Sequence, residues 1–132
     1  MKKLLICIII SIGLVGAAPS EYDVKILDIY DADTVTLEYD LGFGLKRVSK
    51  ARVYGVNTPE IRGSEAVLGA KSRAFLVELC KNTEVKAKVE GHDKYGRDLM
   101  SLKCGGKSVA QELIKSGNGL AYFGEKKIPF NV

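Results

Sequence analysis

Little in this chain suits a soft-metal or histidine-centred chemistry. Three cysteines and one histidine occur in 132 residues, and no cysteines stand at the short spacing of a metal-ligand pair. His92, standing alone, reads as a surface residue and not as a catalyst. Aromatics make up only 8% of the sequence, with no tryptophan. Most fall at expected core positions, which argues against a plain single-strand binder lined with stacking rings. Neither sign of charge dominates: 20 Lys and Arg oppose 16 Asp and Glu, for a net +4. Net charge therefore identifies no nucleic-acid binder, and any such case rests on where charges cluster. No segment repeats and none is of low complexity. The length suffices for one compact domain and is too short for two.

A long apolar run is also missing. Leu4 to Ala18 is about 15 residues, shorter than the ~20 that span a bilayer. Met1-Lys2-Lys3 gives it a basic start. Val15-Gly16-Ala17 or Gly16-Ala17-Ala18 supplies the small residues of a cleavage site. Residues 1–18 therefore read as a secretory signal peptide and residues 19–132 as the domain, secreted or periplasmic. The alternative is an uncleaved anchor at residues 4–18. A lipoprotein signal would carry its cysteine after the run, whereas Cys7 lies inside it. Cleavage removes two lysines and no acid, so the charge falls from +4 to +2. Of the cysteines, Cys80 and Cys104 remain. Export permits a disulfide, but their spacing leaves open whether the two meet.

Beyond Pro19-Ser20-Glu21 the pattern turns to strands. Val24 to Tyr30 reads as a first strand. Thr34 to Tyr39 alternates polar and apolar residues, the period of a half-buried second strand. Turn residues follow at Asp40 to Gly44, and Val48 to Val56 forms a third strand. Asn57-Thr58-Pro59 stops it, because proline has no ladder donor. Val67 to Cys80 looks helical, with Ala70, Ala74 and Val77 on one face and Leu68, Phe75 and Leu79 widening it. Glu84 to Val89 and Leu99 to Cys104 complete five strands. Ser108, with Gln111 three residues on, caps a second helix to about Ser116, ended by Gly117 and Gly119. A helix between the third and fourth of five strands, and another after the fifth, is the order of an OB-fold barrel. The expected class is mainly β with α (α+β).

Three segments carry chemistry. Asp31-Ala32-Asp33-Thr34 offers two carboxylates to a hard cation such as Ca²⁺, or forms a tight turn, which aspartate also favours. On a strand, Arg52, Tyr54 and Val56 point the same way. A guanidinium there matches a phosphate with two parallel donors, and Glu60 beyond the loop suits a water-activating base. A bare surface ion pair between Arg52 and Glu60 is the plainer alternative. In Asp93-Lys94-Tyr95-Gly96-Arg97, two cations and a tyrosine surround a glycine turn fit to grip a phosphodiester, or simply a solvated loop.

Taken together, these segments resemble the staphylococcal nuclease family over roughly residues 22–127. The strings are Asp31 to Val35, Arg52 with Val56 to Glu60, and Asp93 to Arg97. A weaker one is Leu113-Ile114-Lys115 with Gly117 and Tyr122 to Lys127. The resemblance implies an OB barrel and Ca²⁺-dependent cleavage of DNA and/or RNA. The expected protein is a monomer with no stable membrane association once its signal peptide is processed. By the resemblance, Arg52 and Arg97 bind the scissile phosphate, and Glu60 orients or deprotonates the attacking water. Asp33, Asn57 and the main-chain oxygen of Thr58 hold the metal. Lys94, Tyr95 and Tyr122 contact substrate. The best-known member has aspartate where this chain has Asn57, which predicts weaker calcium binding. Relative to that member the hairpin at Asp40 to Lys46 is longer, and the stretch from Glu60 to Phe75 is shorter. The rival reading is a non-catalytic nucleic-acid-binding module. Retention of Arg52, Glu60 and Arg97 argues against it.

Overall fold

Alternation sets the first hairpin. In β2 (Thr34–Asp40) the odd positions Val35, Leu37 and Tyr39 are buried. Polar neighbours stand between them, as a one-faced strand requires. The computed structural model describes residues 21–131; the expected signal peptide lies outside these described residues. β1 (Glu21–Asp31) pairs antiparallel with β2, and β2 with β3 (Lys46–Val53), from Thr34 opposite Arg52 to Asp40 opposite Lys46. β5 (Val85–His92) joins the free side of β1, and β6 (Asp98–Cys104) follows it. A parallel pairing of β3 with β6 closes the ring, with Ala51, Arg52 and Val53 beside Asp98, Leu99 and Met100. Five strands thus form a closed mixed barrel, and two helices pack on it. This is the expected OB-fold class.

The third strand is shorter than its apolar pattern predicts. It breaks at Tyr54 and resumes as β4 (Gly55–Asn57). Gly55 has φ +89°, a conformation glycine adopts without penalty. Arg52, Tyr54 and Val56 therefore do not share one face. Tyr54 is exposed, whereas Val56 is fully buried. β4 pairs with β8 (Leu120–Tyr122), a short strand that no alternation announces. A two-residue strand, β7 (Lys107–Ser108), also pairs with β6.

The helix α1 (Ala66–Cys80) buries Gly69, Ser72, Leu76 and Cys80. The expected face is rotated: Ala70, Ala74 and Val77 face outward, while Phe75 and Leu79 do pack against the core. The reason lies in the contacts of the small residues. Ser72 Oγ donates to the Asn118 carbonyl at 2.7 Å, and Gly69 abuts backbone, so neither signals burial by hydrophobicity. Ser108 Oγ caps α2 (Val109–Lys115) by accepting from the Gln111 N–H, and the Asn118 N–H returns to the Leu113 carbonyl at 2.8 Å.

Two long-range ties fix the barrel. Cys80, at the end of α1, is disulfide-bonded to Cys104, at the end of β6. Asp98 is buried at the start of β6 and accepts from Tyr39 Oη (3.1 Å), Arg47 Nη1 (2.7 Å) and Ser49 Oγ (2.5 Å). The exposed His92 lies 3.2 Å away through Nε2.

Candidate active site

The β1–β2 turn, the β3–β4 break and the β5–β6 loop meet at one end of the barrel. Thr34 stands opposite Arg52, which stands beside Leu99. Barrel closure therefore brings residues far apart in sequence to one seam.

Asp33 is the hub. It is buried, with its Oδ1 3.0 Å from Arg52 Nη1 and its Oδ2 accepting the Thr58 N–H at 2.9 Å. Burial alone would raise its pKa, but the Arg52 guanidinium and the hydrogen bonds it accepts hold it below the usual carboxylate range. Arg52 thus pairs with Asp33 and not with Glu60. Arg52 Nη2 also donates to the Val56 carbonyl at 3.3 Å, and its guanidinium sits 5.4 Å from the Tyr122 ring centre.

Thr34 joins the second arginine to this hub. Its hydroxyl donates to Asp33 Oδ1 at 3.1 Å and accepts from Arg97 Nη1 at 3.3 Å. A continuous chain of polar contacts therefore runs Arg97–Thr34–Asp33–Arg52. Arg97 is aimed from its other side by Asp93. That carboxylate takes Arg97 Nε at 2.6 Å and the N–H groups of Tyr95 and Arg97 at 2.9 Å. Burial opposes ionisation of Asp93, and these donors overcome it, keeping the group below its ordinary value.

Between the arginines lies a cleft of about 400 Å³. Lys94, Tyr95, Tyr122 and Lys127 share it with them. Tyr54 and Phe123 meet edge to face across its wall, their centroids 5.5 Å apart. Contrary to the expectation from the sequence pattern, most aromatics do not occupy core positions. Tyr39 alone of the described aromatics is buried, while Tyr54, Tyr95 and Phe123 are exposed. Loops and a strand break, not strand faces, present these rings.

The remaining predicted residues, Asn57, Thr58 and Glu60, lie at and just beyond the end of β4. Glu60 is exposed and follows the buried Asn57-Thr58-Pro59. It makes no hydrogen bond or ion pair with Arg97 in the described structure. Its charge instead acts on Asp31, a residue that spacing flagged but that received no role of its own. Burial pushes the Asp31 carboxyl up to about 7, with the Asp33 and Glu60 charges adding. Asp31 Oδ1 also accepts the Asp33 N–H at 3.1 Å, so it shapes the turn. Asn57 Oδ1 and Thr58 Oγ1 are buried without a hydrogen-bond partner. Such orphaned oxygens normally have a ligand or water. The donors near the turn are all oxygen: two carboxylates, an amide and a threonine. That set suits a hard divalent cation. Its net charge is low, and no cluster of three Asp, Glu, His or Cys that would hold a metal occurs among the described residues.

Residues 50–130 match the family described as staphylococcal nuclease homologue. The chain belongs to the staphylococcal nuclease family. No curated protein matches it. The family match covers Arg52, Glu60, the Asp93–Arg97 loop and Tyr122, and it starts after the β1–β2 turn. Asp31, Asp33 and Thr34 join the site through barrel pairing and hydrogen bonds. Thr34, Asp93, Lys127 and the Tyr54–Phe123 pair also contribute, none of them given a role by the motifs. Asp93 had a usable signal, an acid four residues before an arginine across a glycine turn. The aromatic pair had none, since its members are 69 positions apart.

Proposed function

We propose that this chain is an exported, Ca²⁺-dependent nuclease that hydrolyses phosphodiester bonds of DNA and/or RNA as a monomer. Membership of the nuclease family and the OB barrel support a nuclease-like or nucleic-acid-binding domain. The observation that carries catalysis is the contact chain Arg97–Thr34–Asp33–Arg52 at the mouth of a basic, aromatic cleft.

Each arginine keeps a free donor. Among the described residues, Arg52 Nε and Arg97 Nη2 have no hydrogen-bond partner. Two fixed guanidiniums facing one cleft can hold a phosphodiester and gather the charge that grows as phosphorus becomes five-coordinate. Because Asp33 and Asp93 already orient them, little reorganisation is needed at that moment. Glu60, exposed beyond the stiff Pro59, orients or deprotonates the attacking water. Lys94 and Lys127 add attraction for the backbone, and Tyr95 and Tyr122 offer ring faces to bases.

Asp33, Asn57 and the Thr58 carbonyl would hold the ion, with Asp31 beside them. When bound, Ca²⁺ supplies positive charge that stabilises the transition state. The Cys80–Cys104 disulfide supports an oxidising destination, consistent with export.

Incubating the folded protein with denatured DNA and with RNA, first with Ca²⁺ and then with chelator, tests the reading. Degradation that stops on chelation is expected. A mobility shift of intact strands with no degradation would favour the binding module, which the exposed cleft aromatics would also serve.

A further inference from the structure

Glu60 has an unsupported side chain. It is exposed, and its carboxylate makes no hydrogen bond or ion pair within the described residues. A base that must aim one water needs its position fixed by something, because a misplacement of about 1 Å can cost roughly 100-fold in rate. Here the backbone is fixed instead. The Glu65 carboxylate accepts the Glu60 N–H at 2.9 Å. One residue later, at Ile61, the loop passes against Gly69 of α1. A Cβ at Gly69 would run into the Glu60 carbonyl and lie 2.8 Å from the Ile61 nitrogen. These obstacles are backbone atoms, which cannot swing aside.

Both contacts lead to a rigid element. Glu65 immediately precedes α1, and Gly69 lies in its first turn. Leu76 and Cys80 sink the same helix into the core, and Ser72 ties it to Asn118. We propose that Glu65 and Gly69 are positioning residues for Glu60, holding its N–H and carbonyl against α1 so that its free carboxylate swings from a fixed backbone point and reaches a limited volume beside the site. This rests on the nuclease reading above. A merely structural role is the competitor, since an acid next to a helix N-terminus also complements the helix dipole.

The test compares steady-state cleavage of denatured DNA, in saturating Ca²⁺, by wild type, Glu65→Ala, Glu65→Gln and Gly69→Ala. Glu65→Ala is then repeated in a Glu60→Ser background. Thermal melts accompany each protein. Glu65→Ala should lower kcat by about 10-fold or more with KM within about twofold. Glu65→Gln should restore kcat to within about twofold, because its amide oxygen accepts the same N–H. Gly69→Ala should lower kcat at least as far as Glu65→Ala. In the Glu60→Ser background the Glu65→Ala change should add nothing. Three results would overturn the positioning role while leaving the nuclease reading intact. These are unchanged kcat in folded Glu65→Ala, an equal further loss in Glu60→Ser, or a Gln variant as slow as Ala. If Glu65→Ala does not fold, Glu65→Gln and Gly69→Ala decide alone. Wild type without metal-dependent cleavage sinks both proposals.

Discussion

Asn57 sets the charge of the proposed cation site. Its Oδ1 is buried and unpartnered, so it offers an oxygen but no negative charge, and Asp33 spends much of its own charge on Arg52. Calcium affinity follows ligand charge. Asn57→Asp should therefore lower the Ca²⁺ concentration for half-maximal cleavage, by about an order of magnitude. A titration of rate against Ca²⁺ reads it directly, and an unmoved midpoint would remove Asn57 from the ligand set. Asp98 gives a prediction about pH. Burial would raise its pKa, but hydrogen bonds from Arg47, Ser49 and Tyr39 hold it below the ordinary value. A carboxyl depressed on folding stabilises the native state above its unfolded pKa of about 4. That stability fades as pH falls through the lower, folded pKa. Asp98→Asn should cost roughly 2 kcal/mol at pH 7, discounted because Arg47 is half exposed. Urea melts should show the gap closing as pH drops towards 3. A gap that stays constant from pH 7 to 3 would mean that the charge is irrelevant.

Among the elements, β8 illustrates how a short strand depends on distant support. It carries Tyr122 to the cleft, yet only β4 pairs with it. The link before it is pinned where Ser72 donates to the Asn118 carbonyl. Ser72→Ala would leave that buried carbonyl short of a donor, at a cost of about 1–3 kcal/mol. Hydrogen exchange at Ala121 and Tyr122 should quicken more than exchange in β1. Equal exchange in both places would show that β8 is held otherwise. The same elements explain what could be read from sequence. Strands β1, β2, β5 and β6 follow from alternation or β-rich runs, and α2 from its Ser108 cap. The outward turn of Ala70, Ala74 and Val77 did not follow, because the true inner face carries Gly69 and Ser72. Apolar periodicity is blind to burial that depends on close backbone approach or on a buried hydrogen bond. β8 escaped for a related reason: three residues are too few for a period to emerge.

At the level of the whole molecule, closure decides both stability and site. The Cys80–Cys104 bridge links α1 to β6 across 24 residues. A cross-link of that span contributes about 3 kcal/mol by restricting the unfolded chain. Reduction should lower the melting temperature accordingly, and equal melts with and without reductant would show that the bond does not constrain unfolding. Closure also explains why the site was partly legible. Arg52, Glu60, Arg97 and the acidic turn stand out as motifs, but their meeting depends on the parallel β3–β6 pairing. Local patterns do not disclose such a pairing. Thr34 meets Arg97 only through contacts that the closed barrel creates, whereas Asp93 is set by bonds within its own loop.

Hydrolysis is proposed at this seam, with Glu60 serving the water and two arginines the phosphate. The most direct measurement is single-turnover cleavage of end-labelled denatured DNA in Ca²⁺ by wild type and Glu60→Ser, with strand affinity measured on the same proteins. Wild type should cleave rapidly. Glu60→Ser should lose at least about 100-fold in rate with affinity changed only a few-fold. A folded wild-type protein that leaves the strand intact, or a Glu60→Ser protein that cuts at the wild-type rate, would contradict it.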